Sequence, residues 1–456
     1  MEIKFSTTGI RGISNKTMTS ELALKLGQTF GTFLGGKGTV LIAQDTRTSS
    51  EMLSSAMVSG LLSTGVNVVD AGVAPVPALS HCVRDDYDAG VMITSSHNPP
   101  EYNGIKFIIG AGVEFSSGEE EKFLELYKKD SLKASWDRVG KLEEKSILEK
   151  YSADLIKSID SELVKSKKFK VVVDTGNGAQ SVLMPGLLKE LGCEVVGLHT
   201  ELKGIFDRAP EPKHETLDVL KEKVVSENAD FGVAFDIDGD RCVFVSETGE
   251  VLQGDVTGSL FAREIIRANK GTRGPRDSGI RIVTPISTSK IIDDIAEAEG
   301  GELIKTRVGA KYIGETLMKE KADFGFEENG GNMFPEISHT REGSASTLKM
   351  LELLAKSGKK LSEIIAELPK YYQVKVTVPC AEEKKQDIPT IKDAVDRKTV
   401  EVLTLDGVKV IFEDGSVLMR ASGTEPLIRI FTEAKTLEKA EEYSKWGVKL
   451  VAKVLS

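Results

Sequence analysis

Long apolar runs are missing from this 456-residue chain. None approaches the roughly eighteen uninterrupted apolar residues of a membrane-spanning helix, so no membrane partner is expected. The N-terminal MEIKFSTTGIRG has no apolar core of the kind that marks a secretory signal, and the expectation is a soluble, cytoplasmic protein. Cysteine is scarce: Cys82, Cys193, Cys242 and Cys380 are scattered and form no C-x-x-C pair, which predicts reduced core residues. The five histidines form no H-E-x-x-H, which argues against a zinc site. Positive charge is in deficit, with 60 basic against 70 acidic residues and a net charge of −10. General attraction to nucleic acid is thereby excluded, and an anionic ligand must be met by a few local cations. Complete nucleotide-binding glycine motifs are also lacking. Gly31–Lys37 is followed by Gly38 where a P-loop needs Ser or Thr, and Gly176-Asn177-Gly178 has Ser181 where a third dinucleotide glycine would stand.

What is present is a threefold plan. Copy one runs through VLIAQD (Val40–Asp45), VNVVDAG (Val66–Gly72) and AGVMITSSHNPP (Ala89–Pro100). Copy two has VVVDTGNG (Val171–Gly178), CEVVGLH (Cys193–His199) and ADFGVAFDIDGD (Ala229–Asp240). Copy three has RIVTPIST (Arg281–Thr288), GELIKTRVGA (Gly301–Ala310) and ADFGFEENGG (Ala322–Gly331). Short β-branched runs alternating with helix-length stretches predict βαβ units, and unbroken apolar runs such as VVVD predict strands covered on both faces. In each copy the third strand leads into a polar loop, and open α/β sheets bind ligands beyond the carboxyl ends of their strands. The last part differs: an alternating strand, an Asp-Gly turn, a second strand and a charged helix make an α+β pattern. The fold expected is α/β, with three similar βαβ-type domains of mostly parallel mixed sheets and a C-terminal α+β domain around a central cleft. The boundaries fall near 1–147, 148–252, 253–369 and 370–456.

Four loops carry chemistry. Thr94-Ser95-Ser96-His97-Asn98-Pro99 puts serine on a tight turn after an apolar strand, a setting that suits a nucleophile or phosphate carrier and equally an ordinary polar turn. Asp236-Ile237-Asp238-Gly239-Asp240 follows FGVAF, and three carboxylates so close in an apolar setting call for a cation. Oxygen-only ligands suit Mg²⁺. An EF-hand is excluded by Arg241 at its sixth position, whereas a strand followed by Asp-x-Asp also resembles phosphatases that use the first Asp as nucleophile. Arg420-Ala421-Ser422-Gly423-Thr424, with Arg429 nearby, offers guanidinium groups, hydroxyls and a close backbone approach for a phosphate. Glu327-Glu328-Asn329-Gly330-Gly331 offers a carboxylate and an amide for sugar hydroxyls, for a metal, or for solvent.

Read in order, TTGIRG, ITSSHNPPEYNGIKF, DIDGDR, FEENGG and RASGTEPLIR resemble the motifs of the α-D-phosphohexomutase superfamily, and the overall look is similar to archaeal members. The resemblance implies a mutase that interconverts sugar 1-phosphates and 6-phosphates of mannose, glucose or glucosamine. It implies a phosphoserine at Ser96 rather than Ser95, and a bisphosphorylated sugar intermediate that turns around before the other phosphate returns to serine. Mg²⁺ would be held by Asp236, Asp238, Asp240 and the serine phosphate. Lys106, Arg11 and His97 would lie near the reacting phosphate, and Arg241, Glu327, Asn329 and Gly309 would meet the substrate. Arg420, Ser422, Gly423, Thr424 and Arg429 would grip the phosphate not being transferred. The partners implied are a phosphorylated sugar and its bisphosphate, and the last domain is expected to close over them.

The chain departs from the family pattern where many bacterial relatives carry Ser and His, having Asn329 and Gly331, and at Ala310, where a polar residue is common. Lys106 therefore becomes the candidate for proton handling, which would require nearby cations such as Arg11 to lower its pKa. A phosphopentomutase of the same family and, beyond it, an Asp-nucleophile phosphatase are the alternatives.

Overall fold

A computed structural model describes residues 3–5, 9–269, 279–422 and 426–455. Contacts divide the chain into two compact units, Met1–Gln253 with Gly330–Ile364, and Gly254–Asn329 with Ile365–Ser456.

In the first unit, β1 (Ile10–Ile13), β2 (Thr39–Gln44), β3 (Asn67–Val73), β4 (Ala89–Ile93), β5 (Tyr102–Ile109), β6 (Val113–Glu114) and β7 (Leu142–Glu144) form one sheet. Its order is β1-β5-β4-β2-β3-β7, with β6 on β5. Strands β2, β3, β4 and β7 are parallel, while β1 and β5 run antiparallel to their neighbours. A second sheet holds β8 (Lys170–Asp174), β9 (Glu194–Leu198), β10 (Phe231–Phe235) and β11 (Cys242–Ser246) in the order β11-β10-β8-β9. In the second unit, β12 (Arg281–Pro285) pairs in parallel with both β13 (Glu302–Thr306) and β14 (Phe324–Phe326). The short β15 (Asn332–Met333) and the helix Gly343–Ser357 belong to the first unit.

The three copies thus share one topology. The first strand of each is central, the second flanks it on one side and the third on the other. In the first two copies the third strand returns through an antiparallel partner, β5 or β11. The remaining strands are β16 (Tyr372–Pro379), β17 (Glu401–Leu403), β18 (Val408–Ile411), β19 (Gly415–Ala421) and β20 (Leu427–Ala434). They form an antiparallel sheet in the order β16-β20-β19-β18-β17, and the helix Leu437–Leu455 packs into its core through Tyr443, Trp446 and Leu450.

The helices Ser20–Phe33 and Ser50–Leu62 approach closely at glycines. A Cβ added at Gly27 would stand 2.5 Å from the Met57 carbonyl oxygen, and one at Gly60 would press on the Leu24 carbonyl. Gly31 lies in the first of these helices, so the incomplete P-loop string is partly helix-packing surface. All four cysteines are buried and unpaired. Among the described residues no helix is long and apolar enough to cross a membrane.

Candidate active site

Alternation along β5 sorts its side chains onto two faces. Ile105 and Phe107 enter the apolar core, so Lys106 points the other way, and it is buried all the same. Its ammonium lies 2.8 Å from Asp238 Oδ2, 3.4 Å from Asp240 Oδ2 and 3.7 Å from Glu114 Oε1. The three aspartates sit in the turn between β10 and β11, where Gly239 at φ +71° lets the chain reverse. One carboxylate oxygen from each lies within 4.8 Å of the other two, and all three residues are buried.

Ser96 stands in the loop after β4 in a left-handed conformation, φ +50°, which is costly for a residue with a side chain. It is fully buried, and its hydroxyl donates to Asp236 Oδ2 over 2.9 Å. His97 Nδ1 is 3.4 Å from the same hydroxyl. Ser95 instead accepts from the Asn98 side-chain amide at 3.2 Å. Arg341 binds Asp240 Oδ2 over 2.8 Å, and Arg241 lies 3.6 Å from Glu211 and 3.9 Å from Asp240. Arg11, on β1, lies in the field of Asp238, Arg241, Glu114 and Arg341. The structure therefore gathers Ser96, His97, Lys106, Arg11, Arg241 and the three aspartates in the first unit.

The electrostatics follow from burial and crowding. Burial, and then repulsion from Asp238 and Asp240, push the Asp236 carboxyl well above its ordinary range. Burial, the largest single influence, would raise Asp238 too, but the Lys106 ammonium together with Arg341 and a hydrogen bond with Asp236 outweighs it, and the net shift is downward. Burial, reinforced by Arg241, pushes His97 down to about 4. The lowered pKa expected of Lys106 is not found. Burial works in that direction, but the carboxylates of Asp238, Asp240 and Glu114 prevail and the net shift is upward. The reason is distance: two aspartates touch the ammonium.

The donor set suits a hard cation. It is made of oxygens only, and Asp238 Oδ1 and Asp240 Oδ1 are buried without a hydrogen-bond partner. An orphaned buried carboxylate oxygen is expensive, and a cation among the three aspartates would satisfy both.

The second unit holds the other predicted residues. Glu327 is buried just beyond β14, and Asn329 is half-buried. Gly309, at φ +135°, immediately precedes the helix Ala310–Glu320. Arg420 and Arg429 face each other across β19 and β20. Like charges directly opposite are unfavourable, and an anion would relieve them. Asp406 Oδ2 accepts from Arg420 Nε at 2.8 Å and from the Val308 N–H at 3.1 Å. The Ser422 N–H donates to the Leu427 carbonyl at 2.9 Å. Gly423 and Thr424 lie outside the described residues.

The sequence reading passed over Asp45, Arg47, Arg341 and Glu114. Asp45 directly follows β2, the first strand of its copy, at the carboxyl end where open α/β sheets bind ligands, and that was the available signal. Arg341 comes from a distant loop with no local mark.

Four family descriptions match successive stretches. They are phosphoglucomutase/phosphomannomutase alpha/beta/alpha domain I at residues 2–134, domain II at 149–249, domain III at 253–372, and the C-terminal domain at 360–445. The chain is 44 % identical over 458 residues to a phosphoglucomutase/phosphomannomutase of Thermococcus kodakarensis, covering 99 % of both. It is 39 % identical over 453 residues to a protein of Methanosarcina acetivorans named "Probable phosphoglucosamine mutase", again covering 99 % of both. A solved phosphoglucomutase/phosphomannomutase family protein from Burkholderia thailandensis superposes with a TM-score of 0.84 at 26 % identity, over 98 % of this chain and 97 % of that one. Since one family's domains succeed one another along almost the whole length, and a relative of that family aligns from end to end, the chain belongs to the phosphoglucomutase/phosphomannomutase family and is a phosphohexomutase, an isomerase.

Proposed function

We propose that this enzyme interconverts hexose 1-phosphate and 6-phosphate, with Ser96 as the phosphoryl carrier and Mg²⁺ as the cation. The observation that carries the reading is the Ser96 hydroxyl, held 2.9 Å from one of three crowded, buried aspartates in a strained loop. Asp236, Asp238 and Asp240 would hold the ion. When bound, Mg²⁺ supplies charge to neutralise phosphoryl oxygens as they are transferred.

The chain's own groups do the rest. The αL turn presents Ser96 Oγ to Asp236, and exclusion of water from this pocket strengthens every charge in it. Lys106, Arg11 and Arg241 surround the serine with positive charge, matching the equatorial oxygens of a phosphoryl group in flight. Lys106 acts there as a fixed ammonium. His97, beside the serine hydroxyl, is neutral at physiological pH and positions rather than charges it. Glu327, Asn329 and Gly309 bind the sugar. Arg420, Ser422 and Arg429, with Gly423 and Thr424, bind the phosphate that stays. The phosphoserine, metal, sugar and distal-phosphate loops then belong to segments 1–147, 148–252, 253–369 and 370–456 respectively.

Glucose and mannose phosphates are the proposed substrates, supported by the name of the relative at 44 % identity, with glucosamine phosphate the alternative. The test supplies the 1-phosphates of glucose, mannose, glucosamine and ribose with a hexose bisphosphate activator, with Mg²⁺ or with a chelator. The expected result is isomerisation, with the highest kcat/KM on glucose or mannose and loss of turnover in chelator. Release of inorganic phosphate without isomer would point to an aspartate-based phosphatase, and a preference for ribose to a pentomutase.

A further inference from the structure

Arg47 is a buried guanidinium with no place in the chemistry described so far. All five of its N–H groups have acceptors nearby. Nε donates to Asp45 Oδ2 at 3.0 Å. Nη1 donates to the carbonyls of Pro99, at 2.6 Å, and Tyr102, at 2.9 Å. Nη2 donates to the carbonyls of Ser96 and Asn98, both at 2.7 Å. Three carbonyls of the Ser96 loop and that of Tyr102, at the start of β5, thus converge on one cation. Without it their oxygens would repel one another in a buried space.

Asp45 completes the clamp. Its Oδ1 accepts from the Arg47 N–H at 3.0 Å and the Ser50 hydroxyl at 2.7 Å, and its Oδ2 also accepts from the Thr94 hydroxyl at 2.8 Å. Thr94 Oγ1 in turn accepts the Ser96 N–H at 2.8 Å. Ser96 is therefore tied on both sides, through its carbonyl to Arg47 and through its N–H, by way of Thr94, to Asp45. The Phe206 ring, from the loop after β9, covers the guanidinium with its centroid 5.2 Å away.

We propose that Arg47 is a positioning residue for phosphoryl transfer, the template on which the Ser96 loop is held in its left-handed, reactive turn. The inference rests on the reading of Ser96 as phosphoryl carrier. Arg47 bonds to the backbone of that loop, so its effect falls on the placement of Ser96 Oγ. Lysine cannot replace it, because an ammonium has three donors in a compact head against five in a planar fork.

The experiment compares wild type, Arg47→Lys, Arg47→Ala, Thr94→Val and Ser96→Ala. It measures kcat, KM for hexose 1-phosphate, the rate of Ser96 labelling from hexose 1,6-bisphosphate, Mn²⁺ affinity and the folded fraction. For folded Arg47→Lys the expectation is a fall of about 100-fold in kcat and in labelling rate, the loss that displacing a reacting group by about 1 Å produces. KM and Mn²⁺ affinity should stay within about threefold. Free guanidinium should restore at least about tenfold of the kcat lost by Arg47→Ala, and ammonium at equal ionic strength should not. Should the Arg47 variants fail to fold, Thr94→Val breaks only the N–H branch and should lower kcat about tenfold at unchanged KM. A kcat within about twofold of wild type in folded Arg47→Lys or in Thr94→Val, or equal rescue by both cations, overturns the proposal. Full turnover by Ser96→Ala would sink the carrier reading instead, and the label's position identifies which of the two has failed.

Discussion

Tyr151 and Glu342 show what burial does to a single pair of side chains. The Tyr151 hydroxyl donates to Glu342 Oε2 over 2.5 Å, and both residues are fully buried. Burial pushes the Glu342 carboxyl up to about 8 from its ordinary 4.5, against the modest downward pull of the tyrosine. Folding therefore favours the protonated form. Stability from this group is complete below about pH 4.5 and is lost as pH rises towards about 8. The difference is on the order of 5 kcal/mol at most. Thermal unfolding at several pH values should show Glu342→Gln with a flatter decline across that window than wild type. Parallel declines would mean that the carboxyl does not titrate as burial demands. At this scale the sequence was legible where chemistry is local: Ser96 and the three aspartates stand in short motifs. Arg47, Arg341 and Glu342 were not legible, because only tertiary placement buries an arginine beside carbonyls or a glutamate beside a tyrosine.

Among the elements, the strands that had to be covered on both faces were the readable ones. Val171–Asp174 and Phe231–Phe235 are apolar at nearly every position, as parallel central strands must be. Strand β7, at a sheet edge, exposes all three of its residues and carries no such signal. The polar 3₁₀ stretch Glu382–Ala394, which includes Pro389, was equally silent. The glycines of the first helix pair were visible, but their purpose needed the partner helix. Alanine is the better helix former by about 1 kcal/mol, yet Gly27→Ala should destabilise the protein. Its Cβ would meet backbone, the Met57 carbonyl, which cannot swing aside. A net loss of about 1–3 kcal/mol in denaturant unfolding is expected, with kcat per folded molecule unchanged. A gain in stability would show that the two helices have room to part.

Over the whole molecule, one strand order recurs three times, and in the first two copies the loop after the third strand supplies the serine and the aspartates. The repeat was readable because each copy repeats the same succession of apolar run, helix and polar loop. The repeat alone did not show that those two loops meet; the family resemblance implied it by putting the serine phosphate and the aspartates on one cation, and the Ser96 hydroxyl meets Asp236 Oδ2 at 2.9 Å. The central claim is that phosphate passes through one hydroxyl in this arrangement. It is tested most directly by incubating the enzyme with labelled hexose 1,6-bisphosphate, digesting it and sequencing the labelled peptide. The account predicts stoichiometric label on Ser96, stable to hydroxylamine and transferable to unlabelled hexose monophosphate. Hydroxylamine-labile label on Asp236, or label on any other residue, would contradict it.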